Sequence, residues 1–252
     1  KRGGKQKQPP PETPSAPGDL AVAAELVVHS HPKSSAAEAA RAVRTNLLFV
    51  SPDRPYKTLL VTSAGPAEGK TTVACSIAIA MAQTGQRVCL VDCDLRRPRI
   101  HGLFNRTLEN GLTTALIDGG RLDDAMTQTA VPNLWVLPSG PTPPNPADII
   151  QSQAFARLLE SLKSRFDRVV IDSPPVCLVT DAVIASTLVD ASVLVIRALK
   201  TRKDDARRAL RSLRDVGATL PGFVLNAVNA TGERYEYFYS RYESKEGDEA
   251  QA

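Results

Sequence analysis

The sequence has no apolar run near the ~20 residues that a membrane-crossing helix needs; its longest, Ala74 to Ala82, contains Ser76. Nothing at its start reads as a signal peptide. Aromatic residues make up only 5% of the chain. Outside the C-terminal stretch they are not interleaved with basic residues, which removes the stacking platforms of a single-strand nucleic-acid binder. Neither sign of charge dominates: a net charge of +4 over 252 residues is too weak to argue for nucleic acid, and no such partner is expected. Cysteines are few. Cys75, Cys89, Cys93 and Cys177 lie in apolar segments without paired metal-ligand spacing; Cys89 and Cys93, on either side of an aspartate, read as small buried thiols, and free buried cysteines fit a reducing, cytosolic compartment.

What is present is enough apolar material, 42% of 252 residues, for one sizeable core with tails. The chain opens on Lys1 instead of methionine, which leads us to expect a longer parent protein. Lys1, Arg2, Lys5 and Lys7 form a short basic patch. Such a patch suits anionic lipid beside a membrane helix, and equally an ordinary solvated tail; composition does not separate them. Pro9, Pro10, Pro11, Pro14 and Pro17 then make an extended spacer.

From Ser34 to Phe49 the pattern predicts a helix capped by Ser34 or Ser35, with Pro52 closing the connection behind it. Beyond Thr58, strands are expected at 58–62, 88–91, 134–137, 168–172, 192–196 and 222–226. Helices are expected at 70–83, 146–165, 180–188 and 203–216. The strands are apolar almost throughout instead of alternating, as strands buried on both faces should be. The expected fold is therefore α/β: a mostly parallel sheet flanked by helices on both faces and joined by right-handed crossovers.

Three stations follow apolar strands. The first runs Ala64-Gly65-Pro66-Ala67-Glu68-Gly69-Lys70-Thr71-Thr72, between a strand and a helix. Loop amides in that order wrap a phosphate, and the helix N-terminus adds partial positive charge. Lys70 would neutralise the outer phosphates, Thr71 would ligate Mg²⁺, and Gly69 lets the backbone come close. Ala64 stands where the usual P-loop pattern has its first glycine. The second station is Asp92-Cys93-Asp94-Leu95-Arg96. Carboxylates two apart on a strand share a face, so one can take a proton while the other holds the metal or its waters. Asp172 ends a third strand, and Pro174-Pro175 keep its exit non-helical at the sheet edge. Ligands of open α/β sheets bind at that edge.

Together these segments resemble the bacterial tyrosine kinases, P-loop enzymes associated with capsule and exopolysaccharide export, over roughly residues 30 to 242. Glu38-Ala-Ala-Arg41-Ala-Val-Arg44 resembles the family's ring-forming Glu-x-x-Arg-x-x-Arg helix, and Leu137 to Pro146 its proline-rich loop. Phe223-Val-Leu-Asn226 resembles the last strand, whose asparagine lies near the base. The cluster Tyr235, Tyr237, Tyr239 and Tyr242 resembles the segment that neighbouring subunits phosphorylate. The resemblance implies an ATP- and Mg²⁺-dependent tyrosine autokinase at the cytoplasmic face of the inner membrane. Lys70, Asp92 and Asp94 would be catalytic, with Asp92 activating the tyrosine hydroxyl. Thr71, Asp92, Asp94 and Asp172 would serve the metal, and the loop 64–72 with Asn226 would hold ATP. It also implies a ring-like homo-oligomer, a membrane domain that is fused or supplied by a transmembrane activator, and a tyrosine phosphatase. The chain then divides into a basic, proline-rich linker at 1–30, a P-loop kinase domain at 31–230 and a flexible tail at 231–252.

The residues themselves leave other readings open. Glu38, Arg41 and Arg44 occupy about a third of a helix circumference, a stripe that suits a self-complementary contact. An intrahelical Glu–Arg pair worth only ~0.3 kcal/mol is the plainer account. Arg202, Lys203, Arg207, Arg208, Arg211 and Arg214 read first as a solvated face and second as a docking site for phosphotyrosine or lipid. The main rival function is a partitioning-type ATPase, against which stands Gly65, where those ATPases carry a second lysine. A GTPase lacks its Asn-Lys-x-Asp segment here, and a scaffolding ATP-binding subunit of an exporter keeps every motif.

Overall fold

The computed structural model describes residues 24–117 and 121–228. A 3₁₀ turn (Ala24–Leu26) leads into α1 (Val27–Ser30) and α2 (Ser35–Val50), followed by β1 (Thr58–Ser63), α3 (Lys70–Ala82) and β2 (Val88–Asp92). Short elements come next: α4 (Ile100–Leu103), α5 (Leu112–Ile117), α6 (Leu122–Ala125), β3 (Thr127–Gln128) and β4 (Leu134–Leu137). The chain continues through α7 (Pro146–Gln151), α8 (Gln153–Arg165), β5 (Arg168–Asp172), α9 (Asp181–Ser186), β6 (Ala191–Arg197), α10 (Lys203–Arg214) and β7 (Gly222–Asn226).

The seven strands order as β3-β4-β2-β5-β1-β6-β7. All neighbours are parallel except β3, which runs antiparallel to β4. Successive residues of the central strands feed opposite layers. Leu59, Val61, Val88 and Leu90 pack with α2 and α3, while Leu60, Cys89 and Val91 pack with α8. Burial of both faces is why these strands read as unbroken apolar runs. Helix α3 is apolar nearly all round; Ala74, Cys75, Ala78, Ala80 and Ala82 are buried, and their small side chains let it lie close to the sheet. The expected parallel α/β architecture is the one found.

Boundaries differ in three places. The helix expected over 146–165 is two helices, because Ser152 takes an extended conformation and accepts the Phe155 amide at 3.2 Å, capping α8. Residues 24–30, expected in the linker, instead dock on the core: Val28 is fully buried, its carbonyl accepts from Gln83, and Glu25 pairs with Arg99 at 3.3 Å. The elements α4, α5, α6 and β3 were not expected; each is six residues or fewer. Of the two serines expected to cap α2, Ser34 does so, accepting from the Ala37 amide at 3.2 Å. The tyrosine cluster, the basic patch and the proline spacer lie outside the described residues. Among those described, no helix is long and apolar enough to cross a membrane.

Candidate functional site

Parallel strands deliver whatever follows them to one rim. The register pairs Asp92 of β2 with Asp172 of β5, and Asp172 with Val61 near the end of β1, so both acids stand beside the loop that opens α3. Among the described residues no side chain caps α3. The amides of its first turn, Lys70, Thr71 and Thr72, therefore remain available to an anion, with the helix dipole behind them.

Lys70 Nζ lies 2.8 Å from Asp94 Oδ2 and 3.6 Å from Asp172 Oδ1. The hydroxyl of Thr71 donates to Asp172 Oδ2 at 2.6 Å. Asp172 Oδ1 is buried with no hydrogen-bond partner among the described residues. An unsatisfied carboxylate oxygen beside a hydroxyl is a hard-oxygen donor set, and it fits Mg²⁺. Burial would lower the basicity of Lys70, but the nearby charges of Asp172 and Asp94 outweigh it and the ammonium is held above its ordinary range. Burial raises Asp172, against the opposing pull of Lys70 and Thr71.

Asp92 is fully buried and holds backbone. Its Oδ2 accepts the amides of Arg99 and Ile100 at 3.0 and 2.9 Å, capping α4, and Oδ1 accepts the Asp94 amide at 3.3 Å. Burial first, then the charge of Asp172, pushes Asp92 from 3.8 to about 7, against the two capping amides. The folded protein thus keeps this proton to about pH 7, whereas the unfolded chain releases it near 3.8. The native state binds more protons across that window, so its stability falls as pH rises through it and levels off above it. For chelated, nucleotide-free protein we expect Asp92 to contribute at most about 1.4 kcal/mol per pH unit to that slope, and the slope to be shallower in Asp92→Asn. Urea unfolding at successive pH values reads this; identical slopes in the two proteins would refute it.

The loop itself is braced from the far strands. Asn226 donates to the Glu68 carbonyl at 2.9 Å, and Arg197 donates to that of Ala67 at 2.8 Å. The buried Glu68 carboxylate accepts the Gly65 amide at 3.0 Å and the Thr201 hydroxyl at 2.6 Å. Gly69 sits at φ +92°, and a Cβ there would lie 2.0 Å from Asn226 Nδ2, so only glycine serves. Ala64 is buried against the cluster that holds Val176, Leu194 and Leu213, which accounts for a methyl at that position. Pro66 and Ala67 are exposed on the loop's outer side, and Thr72 is half-buried.

The structure thus brings Lys70, Thr71, Asp92, Asp94 and Asp172 together, with Asn226 on the loop. It leaves Glu38, Arg41 and Arg44 apart on α2. There Arg41 pairs with Glu38 and also donates to the Pro32 carbonyl, and Arg44 donates to the Ala80 carbonyl at 3.1 Å. Sequence reasoning missed Asp181, whose carboxylate is fully buried and takes a two-pronged contact from Arg96 at 2.8 and 3.0 Å. The only signal for it was an acid at the start of a helix. A cavity of about 650 Å³ opens near the opposite rim, beside Tyr56, Lys57, Lys163 and Asp190. Its lysines are engaged by Glu160, Asp190 and a backbone carbonyl, and it has no part in this chemistry.

Comparison with known proteins adds a second line. A model of the AAA domain family matches residues 61–202. The chain is 37% identical over 214 residues to a putative tyrosine-protein kinase, CapB, of Staphylococcus aureus, covering 85% of this chain and 94% of that one. It is 38% identical to tyrosine-protein kinase YwqD of Bacillus subtilis, over 85% of this chain and 90% of that one. In the tyrosine-protein kinase wzc of Salmonella typhimurium the match, 32% identical, spans 87% of this chain and 31% of the longer relative. Among solved structures, the chimerical protein CapA2B2 superposes with a TM-score of 0.78 at 38% identity, covering 81% of this chain and 90% of that one. The kinase domain of the Escherichia coli tyrosine kinase ETK gives 0.77 at 33% identity, covering 81% and 80%.

Proposed function

The chain belongs to the bacterial tyrosine kinases, and from that membership we propose that it transfers the terminal phosphoryl group of ATP to tyrosines of its own C-terminal cluster, across subunits. The observation that carries the reading is the shared rim: an uncapped helix N-terminus, a lysine, and three strand-end carboxylates within one constellation.

Mg²⁺, held by Thr71 and Asp172 with Asp94 beside it, would spread the charge that grows on the outer phosphates when bound. Lys70 leaves its resting partner Asp94 for those phosphates, and the first-turn amides of α3 hold the remaining oxygens. The acceptor phenol gives its proton to Asp92 as its oxygen bonds to the terminal phosphorus. The bond from that phosphorus to the bridging oxygen breaks, and ADP departs with the electron pair. What supports Asp92 in this role is its raised pKa, near working pH, and an Oδ1 that, among the described residues, accepts only one long hydrogen bond. Because Asp92 is buried, the 93–97 loop must shift for a phenol to reach it.

The acceptors are Tyr235, Tyr237, Tyr239 and Tyr242, four of the five tyrosines in the chain. The stripe of Glu38, Arg41 and Arg44 would join subunits into a ring that loosens as phosphate accumulates, and native mass measurements before and after phosphorylation would read that change. The remaining parts of the reading are a membrane portion, fused or supplied by a transmembrane activator, a tyrosine phosphatase, and control of capsule or exopolysaccharide export at the cytoplasmic face of the membrane. The test is direct. Purified chain with labelled ATP and Mg²⁺ should yield phosphotyrosine, mapped by mass spectrometry to residues 235–242. Label on serine, or ATP hydrolysis with no labelled protein, would favour a partitioning-type or scaffolding ATPase instead.

A further inference from the structure

One charged face of the molecule takes no part in the site. Lys203, Arg207, Arg211 and Arg214 recur along α10 at i, i+4, i+8 and i+11, which confines them to about 80° of the helix circumference. All four are exposed. Ala209 and Leu213 point the other way, into the cluster with Val176, Ala182 and Leu194. Asp204 engages Arg207 at 3.3 Å and Asp205 engages Arg208 at 3.0 Å, both pairs open to solvent and therefore weak. Lys203, Arg211 and Arg214 pair with no carboxylate among the described residues.

Resting on the self-phosphorylation reading, we propose that this stripe receives the phosphorylated C-terminal segment, residues 229–252, of the same chain. The chain leaves β7 at Asn226, whose carbonyl accepts the Ala198 amide at 2.9 Å, so the root of that segment lies just ahead of α10. The stripe is about 16 Å long, at ~1.5 Å rise per helical residue. Extended chain covers ~3.3 Å per residue, so the stretch from Asn226 to Tyr235 alone reaches about 30 Å.

The spacings also agree. In an extended segment Tyr235, Tyr237 and Tyr239 fall on one side about 6.6 Å apart. Lys203, Arg207 and Arg211 repeat about every 6 Å along the helix. Each phosphotyrosine brings roughly −1.5 to −2 charges and three acceptor oxygens, which the planar fork of an arginine meets with two hydrogen bonds. The segment holds six acidic against three basic residues before any phosphate is added, so attraction is weak at first and grows with each transfer. Asp204, Asp205 and Asp215 flank the cations, and a flat bilayer would meet them too, whereas a single extended strand can follow the stripe alone. Docking withdraws the spent acceptor from the neighbouring subunit's site.

A synthetic, fluorescently labelled peptide of residues 229–252 phosphorylated at 235, 237 and 239 tests this with full-length, phosphatase-treated protein and no ATP. Anisotropy should show binding at least about tenfold tighter than for the unphosphorylated peptide. Arg207→Gln combined with Arg211→Gln should weaken it at least about tenfold, with unchanged thermal melting, and Arg157→Gln with Arg165→Gln on α8 by less than about twofold. Equal loss in both double variants, or none in the α10 variant, overturns the proposal. So does absent peptide binding alongside Arg207- and Arg211-dependent binding to phosphatidylcholine vesicles with about one-third phosphatidylglycerol, which assigns the stripe to a membrane. Because the peptide is made synthetically, failure of the kinase assay leaves this measurement intact.

Discussion

Lys70→Met lowers the rate of ATP-dependent self-phosphorylation by about 10³-fold. Methionine keeps the length and much of the volume of lysine while removing the one cation of the constellation. Lys70 Nζ is the group that balances Asp94 at 2.8 Å and Asp172 at 3.6 Å, and it stays charged despite burial. In the proposed reaction the same charge would face the phosphoryl group in flight. A second effect follows from the resting state. Without Lys70, three carboxylates share one rim with no cation among them, so the nucleotide-free variant should melt earlier, and the gap should widen as pH rises and Asp92 and Asp172 ionise. Initial rates of phosphotyrosine formation and melting curves at two pH values check both. A rate loss under about tenfold would mean that Lys70 does not face the transferred group.

Why this site was legible in the sequence follows from topology. Asp92 and Asp172 end strands, Asp94 follows two residues on and Lys70 opens the helix after β1, and parallel strands bring those ends to one rim. What sequence did not disclose is the division of labour there. Nothing in Asp-x-Asp tells that Asp92 caps α4 through the amides of Arg99 and Ile100 while Asp94 takes the lysine. The brace on the loop was hidden for a different reason. Glu68 is more than a hundred residues from Thr201 and Asn226 and meets them only because β1, β6 and β7 are neighbours. Short elements such as α4 and β3 are held by tertiary contacts and have too few residues for a period to show. Ser152 is the converse case. Its capping bond broke a helix that the apolar spacing alone would have run through.

The tail offers the other large effect, and a mixing experiment isolates it. Replacing Tyr235, Tyr237, Tyr239 and Tyr242 by phenylalanine should remove nearly all self-phosphorylation, because one tyrosine remains, Tyr56, which precedes β1 and lies at the rim opposite Lys70. The active constellation is untouched by that change, so the variant remains a competent donor. Lys70→Met keeps an intact tail and lacks the donor chemistry. Neither protein alone should acquire phosphotyrosine, and the two together should, on the tail of the Lys70→Met chain. Transfer across subunits predicts a rate that rises with the concentration of the phenylalanine variant, whereas transfer within one chain predicts no recovery at any ratio. Label that persists in the fourfold phenylalanine variant alone would place the acceptor elsewhere and remove the tail from the mechanism. Recovery in the mixture would also show that the tail of one copy reaches the rim of another, which the burial of Asp92 makes a demanding requirement.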